Sequence, residues 1–129
     1  MALMIKAKKI NVRIPPQSIP SEQAVLGSIM LRKEAMHEVE DIISPDSFYV
    51  EKNKIIFRAM LDLSLKNEPI DMLSLSTKLS EQKVLERVGG NQYLAEIVSV
   101  VPSSTNVKHY AEIVQKKYVL RSLIEAADY

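Results

Sequence analysis

The chain has 129 residues, 47% of them hydrophobic, with 17 Lys or Arg against 16 Asp or Glu for a net charge of +1. That is enough apolar material for one modest core and excludes a disordered chain, while the balance of charge excludes a global field that draws in nucleic acid or an anionic membrane. There is no cysteine, which excludes a disulfide framework and a thiolate metal site and agrees with a reducing cytosol.

The start, MALMIKAKK, puts a short apolar run before lysines, the reverse of a secretory signal, and no later run is long enough to span a bilayer, so a soluble cytoplasmic protein is expected. Residues 1–14 read as a flexible basic arm whose Lys6, Lys8, Lys9 and Arg13 are ordinarily solvated. Pro15, Pro16 and Pro20 hold the following stretch extended, in a polyproline-like path. Ser21 then opens the first helix, and Glu22 sets a negative charge where the helix dipole favours one. Gly27 loses about 1 kcal/mol against alanine inside a helix, tolerable where another backbone packs on it.

A second amphipathic helix is read from about Glu34 to Ile43, with Met36, Val39 and Ile43 at helical spacing. Ser44-Pro45 stops it and starts a one-turn helix that delivers Phe48 and Tyr49 to the interior. A third helix, about Lys52 to Lys66, carries Ile56, Ala59, Met60 and Leu63 on one face with Phe57, Leu61 and Leu65 beside it, a surface wide enough for burial on two sides. Asn67 closes it in a left-handed conformation and Pro69 prevents continuation. Asp71 caps a helix striped by Met72, Leu75 and Leu79, a short segment Val84 to Val88 follows, and Gly89-Gly90 breaks the chain.

From Asn91, Leu94, Ile97, Val98 and Val101 follow a helical period, Pro102 ends the run, and Ser103 or Ser104 can cap another. The second arm carries Val107, Tyr110, Ala111, Val114 and Tyr118, then Leu120, Leu123, Ile124 and Ala127. At about 1.5 Å per residue it is roughly 35 Å long, more than a head of this size needs. No strand pattern occurs. The fold class is therefore all-α, a compact helical head over 15–90 followed by a long antiparallel helical hairpin over 91–129. The apolar pattern is unfinished at Tyr129, so a fragment of a longer protein is expected.

The three glycines, Gly27, Gly89 and Gly90, fit neither GxxxxGK[ST] nor GxGxxG, so ATP cannot be held in a glycine-rich phosphate cradle. His37 and His109 stand apart without a ligand at metal spacing. The serines fall at caps and turns rather than in a nucleophile motif, and the acidic residues are scattered along solvated faces. No catalytic, cofactor-binding or metal residue is assigned. Tyr93, Tyr110 and Tyr118 lack the interleaved basic groove of a nucleic-acid stacking platform and suit a protein interface or core.

The ordered set IPPQSIPSEQAVLGSIM, DSFY, IIFRAMLDL, EPIDMLSL, LERVGGNQYLAEI and VPSSTNVKHYAEIVQKKYVLRSLI resembles the amino-terminal domain of the bacterial replicative DNA helicase, the DnaB family. The resemblance covers nearly everything after Arg13. It departs at Asn67, where a glycine is common, and at Pro20 and Ser21, in place of a more usual acidic residue and alanine. It implies a helical head and hairpin, with an ATP- and Mg-dependent motor acting on single-stranded DNA in a missing carboxy-terminal part. In that family the hairpins pair, three pairs form a collar on a hexameric ring, primase docks on the collar, and helicase loaders engage the enzyme.

On the motif match, the self-association surface is placed on Leu94, Ile97, Val98, Val101, Val107, Tyr110, Ala111, Val114 and Tyr118, and primase docking on Tyr93 and Ile124. The alternative is a helical nucleic-acid-binding module using Lys6, Lys8, Lys9, Arg13, Lys116, Lys117 and Arg121. A third reading, an independent small enzyme, has no residue set behind it.

Overall fold

The computed structural model describes residues 14–102 and 106–127. Helix α1 (Ile19–Leu31) begins ahead of the expected Ser21 because Ser18 is its cap, its Oγ accepting from the Ser21 N–H at 3.4 Å. Pro20 thus falls in the first turn, where its missing N–H has no helical partner to lose. Ala24, Val25, Leu26, Ile29 and Met30 are all buried. A helix apolar on so many sides must be central, and most of the other helices gather on it.

Helix α2 (Glu34–Val39) stops short of Ile43. The Ile42 and Ile43 N–H groups both donate to the Val39 carbonyl, and this turn still leaves Ile43 buried. A 3₁₀ turn (Pro45–Ser47) follows, closed by the Ser44 N–H donating to Ser47 Oγ at 3.1 Å. Phe48 enters the core and packs on Phe57 with ring centroids 5.0 Å apart. Tyr49, expected inside as well, points outward, since neighbours in extended chain face opposite sides.

Helix α3 (Glu51–Leu65) buries Ile56, Phe57, Ala59, Met60 and Leu63 against α1, the 3₁₀ turn and the helix that follows. Leu65, in the last turn, lies beyond the core and is 81% exposed. Asn67 closes the helix at φ 56°, as its side-chain type suggests, and the Glu68 N–H reaches back to the Leu63 carbonyl at 2.9 Å. Helix α4 (Met72–Glu81) is capped by Asp71, whose Oδ1 accepts from the Ser74 N–H at 2.8 Å while Ser74 Oγ accepts from the Asp71 N–H. Its buried stripe is Leu75 and Leu79, against α3 and the next helix.

Residues 82–89 form turns that carry buried Val88, and Gly89, at φ 104°, leads into α5 (Gly90–Ser99). Helix α5 ends before Val101; Ser103 and Ser104 lie outside the described residues. Helix α6 (Val107–Ala127) is continuous over 21 residues, about 32 Å at the usual rise. Both α5 and α6 make their main contacts with α1 rather than with each other. Gly27 permits this: a Cβ there would collide with the Val101 side chain and lie 2.7 Å from the Ile97 carbonyl oxygen. Head and hairpin share one core, so they are distinct in chain order but continuous in packing. The described residues are all-helical, with no strand among them.

Candidate functional site

The residues expected on a surface between copies fall into two groups. Leu94, Ile97, Val107, Ala111 and Val114 are buried within this chain, mainly beneath α1. They lie in the core of this chain: the apolar period of a helix reveals that a face is covered, not by what. Val98, Val101, Tyr110 and Tyr118 are half-buried and keep surface to offer.

Tyr93, expected as an accessible anchor, lies in the interior at 5% exposure. Its hydroxyl donates to Asn53 Oδ1 at 2.6 Å and accepts from Gln23 Nε2 at 3.4 Å. Asn53 Nδ2 in turn donates to Glu22 Oε1 at 3.0 Å. The Glu22 carboxylate, itself buried, accepts from the Tyr49 N–H at 2.8 Å and the Val50 N–H at 3.3 Å. Val50 has no side chain able to cap α3, so a carboxylate from α1 satisfies backbone donors there and places negative charge at the positive end of the α3 dipole. Lys52 Nζ lies 3.7 Å from the Tyr93 ring centroid. Burial raises the Tyr93 phenol above its ordinary pKa, helped by the Glu22 and Glu96 charges and opposed by the Gln23 and Asn53 bonds. The whole set is structural glue between α1, α3 and α5.

The distal half of α6 is exposed. Val119, Leu120, Leu123 and Ile124 are all accessible, Leu123 at 61% and Ile124 at 51%. At 100° per residue Leu120, Leu123 and Ile124 turn away from the buried line Val107, Ala111 and Val114. The pairs 119–120 and 123–124, four residues apart beyond the reach of the head, were the signal available for this stripe. Ile124 also borders a groove of about 840 Å³ between the proline arm and α6, lined by Ile14, Pro15, Tyr49, Tyr118 and Arg121 among others.

Arg121, a candidate for nucleic acid contact, is engaged instead with backbone. Its two terminal nitrogens donate to the Pro16 carbonyl at 2.8 Å and the Ser47 carbonyl at 2.9 Å. Lys116 is exposed and Lys117 half-buried, while Lys6, Lys8, Lys9 and Arg13 lie outside the described residues. His37 and His109 are exposed and apart, and among the described residues no group of three or more His, Cys, Asp or Glu could hold a metal ion. No helix among them is long and apolar enough to cross a membrane.

The DnaB-like helicase N terminal domain family matches residues 14–116. The replicative DNA helicase DnaC of Bacillus subtilis (strain 168) is 42% identical over 118 residues, 92% of this chain and 26% of that protein. The replicative DNA helicase DnaB of Geobacillus stearothermophilus is 44% identical over 115 residues, 89% of this chain and 25% of that protein. The chain thus spans about a quarter of the length of these curated relatives. Among solved structures, the N-terminal domain of DnaB helicase from Mycobacterium tuberculosis superposes with a TM-score of 0.88 at 37% identity, covering 89% of this chain and 83% of that one. A DnaB-like replicative helicase, described with its interactions with primase, superposes with a TM-score of 0.77 at 32% identity over 86% of this chain and 26% of that one. A family match over most of the chain, joined to a shared all-helical fold, establishes that this chain belongs to the DnaB-like helicase N-terminal domain family.

Proposed function

We propose that the chain is the N-terminal domain of a hexameric, ATP-dependent replicative DNA helicase, serving ring assembly and the docking of primase, the helicase loader and other replisome partners in the cytoplasm. The observation that carries this reading is the exposed apolar stripe on distal α6, in a chain that belongs to this family. Pairing of hairpins uses the outer side of α6, around Leu120 and Leu123; half-buried Val98, Val101, Tyr110 and Tyr118 keep some surface but are not part of that stripe. Each exposed leucine covered by a second copy contributes about 1–2 kcal/mol, a part of what full burial of the side chain gives. ATP, Mg and single-stranded DNA are engaged by a motor outside this chain.

Likeness to the helicase described with primase supports primase as a partner. Ile124, accessible and beside the groove, is the apolar anchor for it; Tyr93 is not, being packed. Titrating labelled primase with the chain tests the docking role. Binding is expected for the native chain, with at least a tenfold loss in Ile124→Asp, roughly the 1.4 kcal/mol of one apolar contact. No binding by the native chain refutes docking, and equal affinity in the variant refutes Ile124 as the anchor.

A further inference from the structure

We propose that Arg121 is a latch: one guanidinium ties the proline arm and the 3₁₀ turn to α6, so that the arm and the distal turns of α6 are held or released together. The inference goes beyond the pairing and docking readings and is tested on the isolated chain.

Three separate elements meet at this side chain. The arm supplies the Pro16 carbonyl and the 3₁₀ turn the Ser47 carbonyl, both outside any regular helix ladder and both in need of a donor. The planar fork of arginine presents two N–H groups to two acceptors at once, which a lysine cannot do in the same way. The rings of Tyr49 and Tyr118 flank the guanidinium, their centroids 5.3 and 5.9 Å from its carbon.

The position along α6 makes this a latch rather than one bond among many. Val114 is the last residue of α6 that is buried, and residues 122–127 are exposed. Ser47 Oγ donates to Gln115 Oε1 at 2.8 Å, a second tie that keeps the turn on α6 up to that point. Past it, a short helical end with no fully buried residue is marginal on its own, and Arg121 joins it to the arm. The arm is stiffened by Pro15 and Pro16, so the two segments reinforce each other through a shared contact. Coupling of this kind must act in both directions.

Reciprocity sets the experiment. Hydrogen exchange is followed in the native chain, in Arg121→Gln, in Arg121→Lys and in the double variant Pro15→Gly with Pro16→Gly. Amides of α6 beyond Tyr118 are expected to exchange faster in all three variants, while α3 and α4 keep native protection. In Arg121→Gln the increase is on the order of tenfold to a hundredfold, the range set by losing charged hydrogen bonds. A fluorophore on Ile14→Cys, the sole thiol in the chain, is expected to gain mobility in Arg121→Gln. If Arg121→Gln unfolds the whole chain, the glycine variant, which alters no core side chain, decides. Native protection of distal α6 in the glycine variant, or in Arg121→Gln, overturns the proposal.

Discussion

Glu22 is the residue on which the most backbone depends. Sequence alone places it in the first turn of α1, and its position there is as read; what could not be read is that its carboxylate caps α3, because the Tyr49 and Val50 donors lie 27 and 28 residues away in the chain. Glu22→Ala strands those donors and Asn53 in the interior, an expected loss of about 2–3 kcal/mol in urea unfolding. Tyr93 carries a pH signature. Burial holds its phenol protonated more firmly than in the unfolded chain, so its contribution is complete below the ordinary tyrosine value of about 10 and is lost as pH rises through the higher folded value. Tyr93→Phe is expected to lower stability at neutral pH by about 1 kcal/mol, since Asn53 loses a donor, and to remove that alkaline decline. Asp71 runs the opposite way. Its bonds from the Ser74 backbone and hydroxyl lower its pKa, so the stabilisation is present above about pH 4 and is lost as pH falls through the folded value. Asp71→Ala should flatten that acid decline in stability measured from pH 2 to 6.

At the scale of elements, periodicity located the helices well and their ends less well. The α1 start moved from Ser21 to Ile19 because two serines, Ser18 and Ser21, suit a cap, and only the geometry distinguishes them. Helix α2 is shorter than its apolar spacing suggests, since a turn at 40–42 buries Ile43 just as a helix would. Gly27 was legible in kind, as a residue made tolerable by a close backbone, but its neighbour α5 was not. Gly27→Ala gains up to about 1 kcal/mol of helix propensity and pushes α5 from α1, for an expected net loss of about 1–2 kcal/mol. A lowered Tm without a change in oligomeric state checks it. Val114→Asp puts an unpaired charge in the core and is expected to unfold the chain, seen as lost helical circular dichroism, rather than to separate folded copies.

For the molecule as a whole, the order of helices, the all-helical class and the family were readable from the ordered motifs, and the fold agrees with them. The division of labour on the hairpin was not readable. Leu94, Ile97 and Val114 occupy the same apolar pattern that an interface needs, yet α1, distant in sequence, covers them. The proposed pairing surface is therefore put on distal α6, where Leu120 and Leu123 stand outside the core. Sedimentation velocity over a hundredfold dilution, comparing the native chain with Leu120→Asp combined with Leu123→Asp, addresses this most directly. The native chain is expected to sediment as a dimer or larger ring and the variant as a folded monomer of unchanged helical content. A native chain that stays monomeric throughout, or a variant that associates as the native chain does, contradicts it.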